Sequence, residues 1–359
     1  MSAPMPSPQV SALLKKGVAI PASPLSLDEN GRFAPRHQRA LYRYYAEAGA
    51  GGIAVGVHTT QFEIRAPAIG LFKPLLELAA AEIDALSQKH ARPIIKIAGV
   101  CGKTAQAEDE ARLASALGYD AGLLSLGALK DASEEELFAH CFAISKIIPL
   151  VGFYLQPAVG GRFLPSSFWR RFCSIENVVG IKIAPFNRYQ TLDVVRALAD
   201  SGREEEIALY TGNDDNIIMD LLTPFCVNTS EGSKTIRIKG GLLGQWSVWT
   251  KTAVTLLNEI HTIIESGSSV PFEMISRGAA LTDANAAVFD AVHQFAGCIA
   301  GINEVLRRQG LLRSARCLNP REVLSAGQAA ELDLVARDYP WLTDDGFVRS
   351  HLDKWLKED

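Results

Sequence analysis

Three lysines interrupt stretches that are otherwise apolar: Lys96 in Pro-Ile-Ile-Lys-Ile-Ala, Lys182 in Val-Val-Gly-Ile-Lys-Ile-Ala and Lys239 in Ile-Arg-Ile-Lys-Gly-Gly. An ammonium held among apolar neighbours is costly unless it is paired or gives up its proton. A buried amine is what imine (Schiff-base) catalysis needs. An ordinary lysine, pKa about 10.4, is free amine in only about one molecule in 2,500 at pH 7, and burial removes much of that handicap. The alternative role for each of the three is a structural ion pair. The neighbours favour Lys182. Tyr154 lies late in Val-Gly-Phe-Tyr-Leu-Gln-Pro, one strand earlier, where a phenol could shuttle protons as a carbinolamine forms and loses water. Val55-Gly-Val-His-Thr-Thr-Gln-Phe-Glu places the hydroxyls and amides of Thr59 and Thr60 at a strand end, suitable donors for a carboxylate. His58 beside them is expected either to touch substrate or to bond backbone at the rim. Trp246 either lines the pocket or packs in the core.

To bring such residues together the chain needs strands that end at one place. Short β-branched and apolar runs recur, each followed by a segment of helical periodicity, the alternation of parallel strands joined by crossover helices. The expected strands are residues 17–23, 52–57, 93–99, 121–126, 150–156, 178–184, 207–212 and 236–246, eight in all, the number a (β/α)₈ TIM barrel requires. Local signals agree. Thr104 opens a helix that Gly118 closes, Ser133-Glu-Glu-Glu is a capping box, and Leu164-Pro165 starts a helix running to about Ile175. An open doubly wound sheet is built from the same units, but its Gly-x-Gly-x-x-Gly loop is missing after the first strand, which runs into Ile20-Pro-Ala-Ser-Pro-Leu. Residues 227–235 read as a long loop. From about Ala279 the pattern is helical without strands (residues 283–308, 321–336 and 347–355), an extension packed on the barrel. The expected organisation is a tail over 1–14, an α/β barrel over 15–275 and a helical C-terminal extension over 276–359.

The 359 residues are 48% hydrophobic and 21% charged, with a net charge of -4, so a polybasic surface for nucleic acid or anionic lipid is not expected. Six scattered cysteines without metal-finger spacing read as reduced thiols. No run of about 18 apolar residues and no secretory pattern stands at the start, so the expectation is a cytoplasmic protein acting on small molecules, without membrane or nucleic-acid partners. Gly99-Val-Cys-Gly-Lys-Thr lacks the first glycine of a phosphate loop, Ile97 standing there, and His261 and Glu265 lack a third metal ligand.

The ordered set of pieces resembles the dihydrodipicolinate synthase and N-acetylneuraminate lyase superfamily of class I aldolases, over roughly residues 15–265. In order they are a Pro-Leu-x-x-Asp-x-x-Gly-like turn (Pro24 to Gly31), Ala48-Gly-Ala-Gly-Gly-Ile, the Thr59-Thr60 pair, Tyr154-x-x-Pro157, Asn177-Val-Val-Gly-Ile-Lys182 and Thr211-Gly-Asn-Asp. The resemblance implies Lys182 as the Schiff-base lysine and Tyr154 as the proton relay. It further implies Thr59 and Thr60 as the carboxylate site, with Thr59 linked to Tyr154. It also implies a homo-oligomer, dimer or tetramer, with no metal or organic cofactor. Departures bear on the second substrate: Val159 replaces the synthase arginine five residues after the tyrosine, with Arg162 nearby as a possible substrate contact, and Leu124-Ser-Leu-Gly-Ala-Leu replaces a tyrosine pair. His58-Thr-Thr-Gln-Phe-Glu stands in place of Gly-Thr-Thr-Gly-Glu. The expected function is a lyase or aldolase acting on a pyruvate-like 2-oxo acid through an imine at Lys182. The alternative is a non-catalytic barrel binding a 2-oxo acid or sugar acid.

Overall fold

The computed structural model describes residues 4–357. Two compact units divide the chain: Ala19–Ile94 with the residues from Leu243 onward, and the residues up to Val18 with Ile95–Leu242.

The first of these holds β1 (Ala19–Pro21) and β2 (Gly52–Val55), every residue of both buried, with Ala22 and Ala54 forming a parallel bridge just past β1. Between them runs the helix Pro35–Ala48. Proline at its first turn has no amide to leave unsatisfied, and Gly49 ends it at φ 100°, a conformation that costs glycine little. Tyr42, Tyr44 and Tyr45 of this helix are fully buried. The Tyr44 hydroxyl donates to Asp344 (2.6 Å) and accepts from the Thr250 amide (2.6 Å), so one phenol ties the helix to the C-terminal segment and to the start of helix Thr250–Ser266. Helices Phe272–Val288, Cys298–Arg308, Gln328–Asp338 and Asp345–Trp355 follow, without strands. The helix expected over 283–308 is interrupted. Asp290, Gln294 and Phe295 take positive φ, and the Asp290 carboxylate accepts from Gly297 N (2.8 Å) and Ser325 Oγ (2.5 Å), replacing helical bonds with side-chain ones.

In the second unit lie β3 (Ile95–Val100), β4 (Ala121–Leu124), β5 (Leu150–Leu155), β6 (Val178–Ala184), β7 (Ala208–Thr211), the pair β8 (Phe225–Thr229) and β9 (Gly232–Ile236), and β10 (Ile238–Leu243), whose last residue belongs to the first unit. Six are parallel, in the order β10-β7-β6-β5-β4-β3. Strands β3 to β7 are buried at every position, as expected of parallel strands covered on both faces. These six strands and the two of the other unit are the eight of a (β/α)₈ TIM barrel, followed by a helical C-terminal extension. Residues 227–235, expected as a loop, instead belong to the antiparallel hairpin β8–β9, half-exposed on both faces. The expected tail contains the helix Pro8–Lys16, capped by Ser7. Tyr210 of β7 donates its hydroxyl to the Leu14 carbonyl (3.0 Å) and accepts from Val18 N (3.3 Å), pinning that helix to the sheet.

The capping box at Ser133 forms as expected: Ser133 Oγ accepts from Glu136 N and Glu136 Oε2 accepts from Ser133 N. Helix Thr104–Ala116 starts without a side-chain cap, and the Thr104 hydroxyl instead meets His140 Nδ1 at 3.0 Å.

Candidate active site

Lys182 lies in the middle of β6 and is only 7% exposed. Its register partners are Phe153 on β5 and Tyr210 on β7, so the three side chains leave the sheet on one face. The Nζ stands 4.4 Å from the centre of the Phe153 ring. Past β7, a Cβ at Gly212 would lie 2.6 Å from Lys182 Cε, so only glycine there leaves room for the lysine stem. Among the described residues no hydrogen bond or ion pair holds the amine. Burial pulls its pKa down to about 8, against the smaller opposing field of Asp214. A cationic imine at this nitrogen would feel the same stabilising field.

Tyr154 is next to Lys182 in strand order but not in space. A strand's side chains alternate, and Tyr154 leaves on the other face with Gly152, where a Cβ would meet Phe172 and Trp169 of the covering helix Ser166–Cys173. Its ring lies 5.3 Å from that of Trp169 and its hydroxyl accepts from Leu164 N at 3.3 Å. Burial pushes the phenol up to about 12. The expected relay role of Tyr154 is therefore corrected: the phenol packs under a helix, and Phe153, which carries no proton to move, stands beside the lysine. The cause is an irregularity between Leu150 and Val151. Leu150 pairs with Val178 but Val151 with Gly180, and this one-residue slip puts Phe153 instead of Tyr154 opposite Lys182. Accordingly, Tyr154→Phe is expected to leave pyruvate trapping at Lys182 unchanged and to lower stability by about 1 kcal/mol for the lost hydrogen bond, measured by reduction with borohydride and by urea unfolding. A tenfold slower trapping rate would restore the relay.

Arg162 is also corrected as a substrate contact. Its Nη1 donates to the carbonyls of Leu129 and Ala132 (3.1 Å for the latter), so the guanidinium closes the segment after β4.

His58, Thr59, Thr60 and Trp246 belong to the first unit. Thr60 Oγ1 accepts from Gly56 N (3.0 Å) and Val57 N (3.2 Å) and donates to the Ser23 carbonyl (2.7 Å), while its amide bonds Val57 O. One proton and two lone pairs are all a hydroxyl has, so Thr60 shapes the turn and is corrected as a carboxylate donor. Thr59 is buried in the same short 3₁₀ turn, His58–Thr60. His58 is half-buried, edge-on to Phe62 with ring centres 6.0 Å apart. Trp246, 1% exposed, offers a ligand almost no surface; of its two expected roles, core packing is the one its burial fits.

Asp214 and Asp215, whose sequence position allows either a role at the strand ends or helix capping, precede helix Ile217–Leu222, whose N-cap is Asn216. The segment they occupy is fixed from below by Asp220, 1% exposed. Its Oδ1 accepts from Arg188 and from Asn216 Nδ2 (3.0 Å), and its Oδ2 from Thr211 Oγ1 (2.7 Å) and Asn213 Nδ2 (2.9 Å). A carboxylate nine residues after a threonine that ends a strand was the available sequence signal. Among the described residues no group of three or more His, Cys, Asp and Glu is placed to hold a metal ion, and no helix is long and apolar enough to cross a membrane.

No protein-family model matches the chain, and no curated protein matches its sequence. Solved structures do match in fold, and many are dihydrodipicolinate synthase and N-acetylneuraminate lyase family members. YagE from E. coli K12, a prophage protein of the dihydrodipicolinic acid synthase family in complex with pyruvate, is 16% identical, covering 90% of this chain and 98% of its own, with a TM-score of 0.70. Dihydrodipicolinate synthase from Bacteroides thetaiotaomicron is 14% identical over 94% of this chain and 100% of its own, TM-score 0.68. CdNal from Clostridium difficile, in complex with mannosamine, is 17% identical over 90% and 99%, TM-score 0.68. At these identities the shared property is the (β/α)₈ fold.

Proposed function

We propose that this chain is a divergent member of the dihydrodipicolinate synthase and N-acetylneuraminate lyase superfamily, an aldolase or lyase in which Lys182 forms an imine with a pyruvate-like 2-oxo acid. The observation that carries this reading is the buried, unpaired Lys182 amine with its pKa near 8. The fold shared with a pyruvate-bound protein supports it. The amine adds to the ketone carbon, and the carbinolamine loses water to give a cationic imine, which the field of Asp214 favours. With Tyr154 turned away, water at the strand ends is the proton carrier in this scheme, and Thr59 is the proposed carboxylate contact. A cytoplasmic homo-oligomer, with the barrel over 15–275 and the extension over 276–359, completes the reading, and light scattering tests the assembly.

The test is incubation with pyruvate, reduction with borohydride and peptide mapping. A pyruvate adduct on Lys182 is the expected result, and an unmodified chain sinks the reading. The initial trapping rate should follow the free amine. For a pKa of about 8 it rises about tenfold from pH 7 to pH 9 and then levels. A rise continuing past about pH 10 would mean an ordinary, solvated lysine.

A second reading, a non-catalytic binder of a 2-oxo acid or sugar acid, is favoured by Phe153 at the relay position and by the engaged Arg162. It predicts saturable pyruvate binding without an adduct.

A further inference from the structure

The surroundings of Lys182 also bear on the aldehyde that would be joined to, or released from, the 2-oxo acid, an inference that rests on the imine reading above. One step beyond Lys182 toward the strand ends, on the same face, stands Ala184, with Leu155 as its register partner on β5. At the same level past β7 is Gly212, where a Cβ would lie 2.8 Å from Ala184 Cβ. None of the three carries a polar side chain. The arginines on the segments following β5 and β6 are both engaged: Arg162 by the carbonyls of Leu129 and Ala132, Arg188 by the buried Asp220. Asp214 and Asp215, after β7, add negative charge. The side chains left exposed on those two segments include aromatics, Phe163 at 56% and Tyr189 at 81%. A carboxylate-bearing aldehyde would lose hydration against an apolar wall and face two carboxylates, and to gain a guanidinium it would have to compete with the protein oxygens that Arg162 and Arg188 already hold. A flat uncharged aldehyde would lose nothing polar except its carbonyl hydration.

We infer that the aldehyde partner is uncharged and apolar, of the aromatic class, and that carboxylated aldehydes are rejected by the layer Leu155–Ala184–Gly212. In the forward direction the imine loses a proton from its methyl carbon to water, giving the enamine. That carbon attacks the aldehyde carbon, forming the new bond, and the carbonyl electron pair moves to oxygen, which takes a proton from water. The nitrogen lone pair returns as iminium, and a second water hydrolyses it to a 4-hydroxy-2-oxo acid and the free Lys182 amine. No oxidant or reductant is consumed.

The experiment gives the intact protein pyruvate with benzaldehyde or with succinic semialdehyde and follows aldehyde loss and hydroxy-oxo-acid formation. In parallel, calorimetry ranks benzyl alcohol against 4-hydroxybutyrate on the borohydride-reduced adduct. A preference of about tenfold or more for the aromatic compound, in kcat/KM or in Kd, is expected. Leu155→Arg should bring the carboxylated compound level or ahead in the calorimetric ranking. Equal or reversed wild-type preference, binding of neither ligand, or an unchanged preference in Leu155→Arg overturns the inference. A missing pyruvate adduct sinks the imine reading instead, and the calorimetric ranking on untreated protein still decides the aldehyde class.

Discussion

Lys182→Met should lose the pyruvate adduct and reduce any aldol turnover by about 10⁴-fold or more, the scale on which removing a nucleophile acts, while the protein becomes no less stable. The second half follows from the sign of the pKa shift. Burial lowers the folded-state pKa to about 8, below that of a lysine in the unfolded chain, so between those values the unfolded state binds more protons than the folded one. Stability therefore rises with pH through that window, and the burden of a buried ammonium is fully present below about pH 8. Methionine fills a similar volume without the charge and removes the burden. In urea titrations at pH 7 and pH 10, wild type should gain stability on the pH rise relative to Lys182→Met. A variant destabilised by several kcal/mol with turnover retained would make Lys182 a structural residue, since removing one partner of a buried pair has that signature. Retaining an uncompensated cost at one position is how a folded protein keeps a reactive group.

The strands were legible because a fully buried parallel strand is an apolar run, whatever surrounds it. β6 falls at Val178–Ala184, as expected, and the others lie within a few residues of their expected ends. The hairpin β8–β9 was not legible. It buries little, and its turn-rich sequence around Thr229–Gly232 resembles that of an irregular loop. The break at Asp290 was hidden for the opposite reason. Apolar periodicity continues across it, and what stops the helix is a carboxylate gathering distant donors such as Ser325, thirty-five residues away.

At the site, residue type was readable and facing was not. A lysine in an apolar strand announces itself by its cost. The number of residues between Tyr154 and Lys182 fixes which strands they occupy, but which faces they share depends on register. In a pleated strand a slip of one residue exchanges the two faces completely. The slip after Leu150 leaves no mark in composition, and it turns a phenol toward Trp169 and a phenyl toward the amine. Thr60 and Arg162 failed differently: their donors are real but are spent on the Ser23, Leu129 and Ala132 carbonyls. Motif spacing can place a donor; only coordinates show whether backbone has already claimed it.

Asp220→Ala should be the most destabilising single change near the site, by about 3–5 kcal/mol, because it strips the partner from a buried ion pair and leaves several donors unsatisfied. Arg188 loses its counter-charge, and Thr211, Asn213 and Asn216 lose their acceptor. The two partners of the pair are not equivalent. Asp220 has no exposed side chain, whereas that of Arg188 is 41% exposed and can turn to water, so Arg188→Ala should cost clearly less. The double variant should cost less than the sum of the two, as expected for groups in contact. Urea unfolding with an unchanged m-value measures all three. A loss under about 1 kcal/mol for Asp220→Ala would mean that the carboxylate is not the hub of this network. Because Thr211 and Asn213 flank Gly212, and Asp214 follows them, loosening the hub should also disturb the space against Lys182 Cε and the field on its amine. Pyruvate trapping by Asp220→Ala should thus slow even below the unfolding temperature. Arg188→Ala should retain nearly the wild-type rate, since the carboxylate that holds the turn remains.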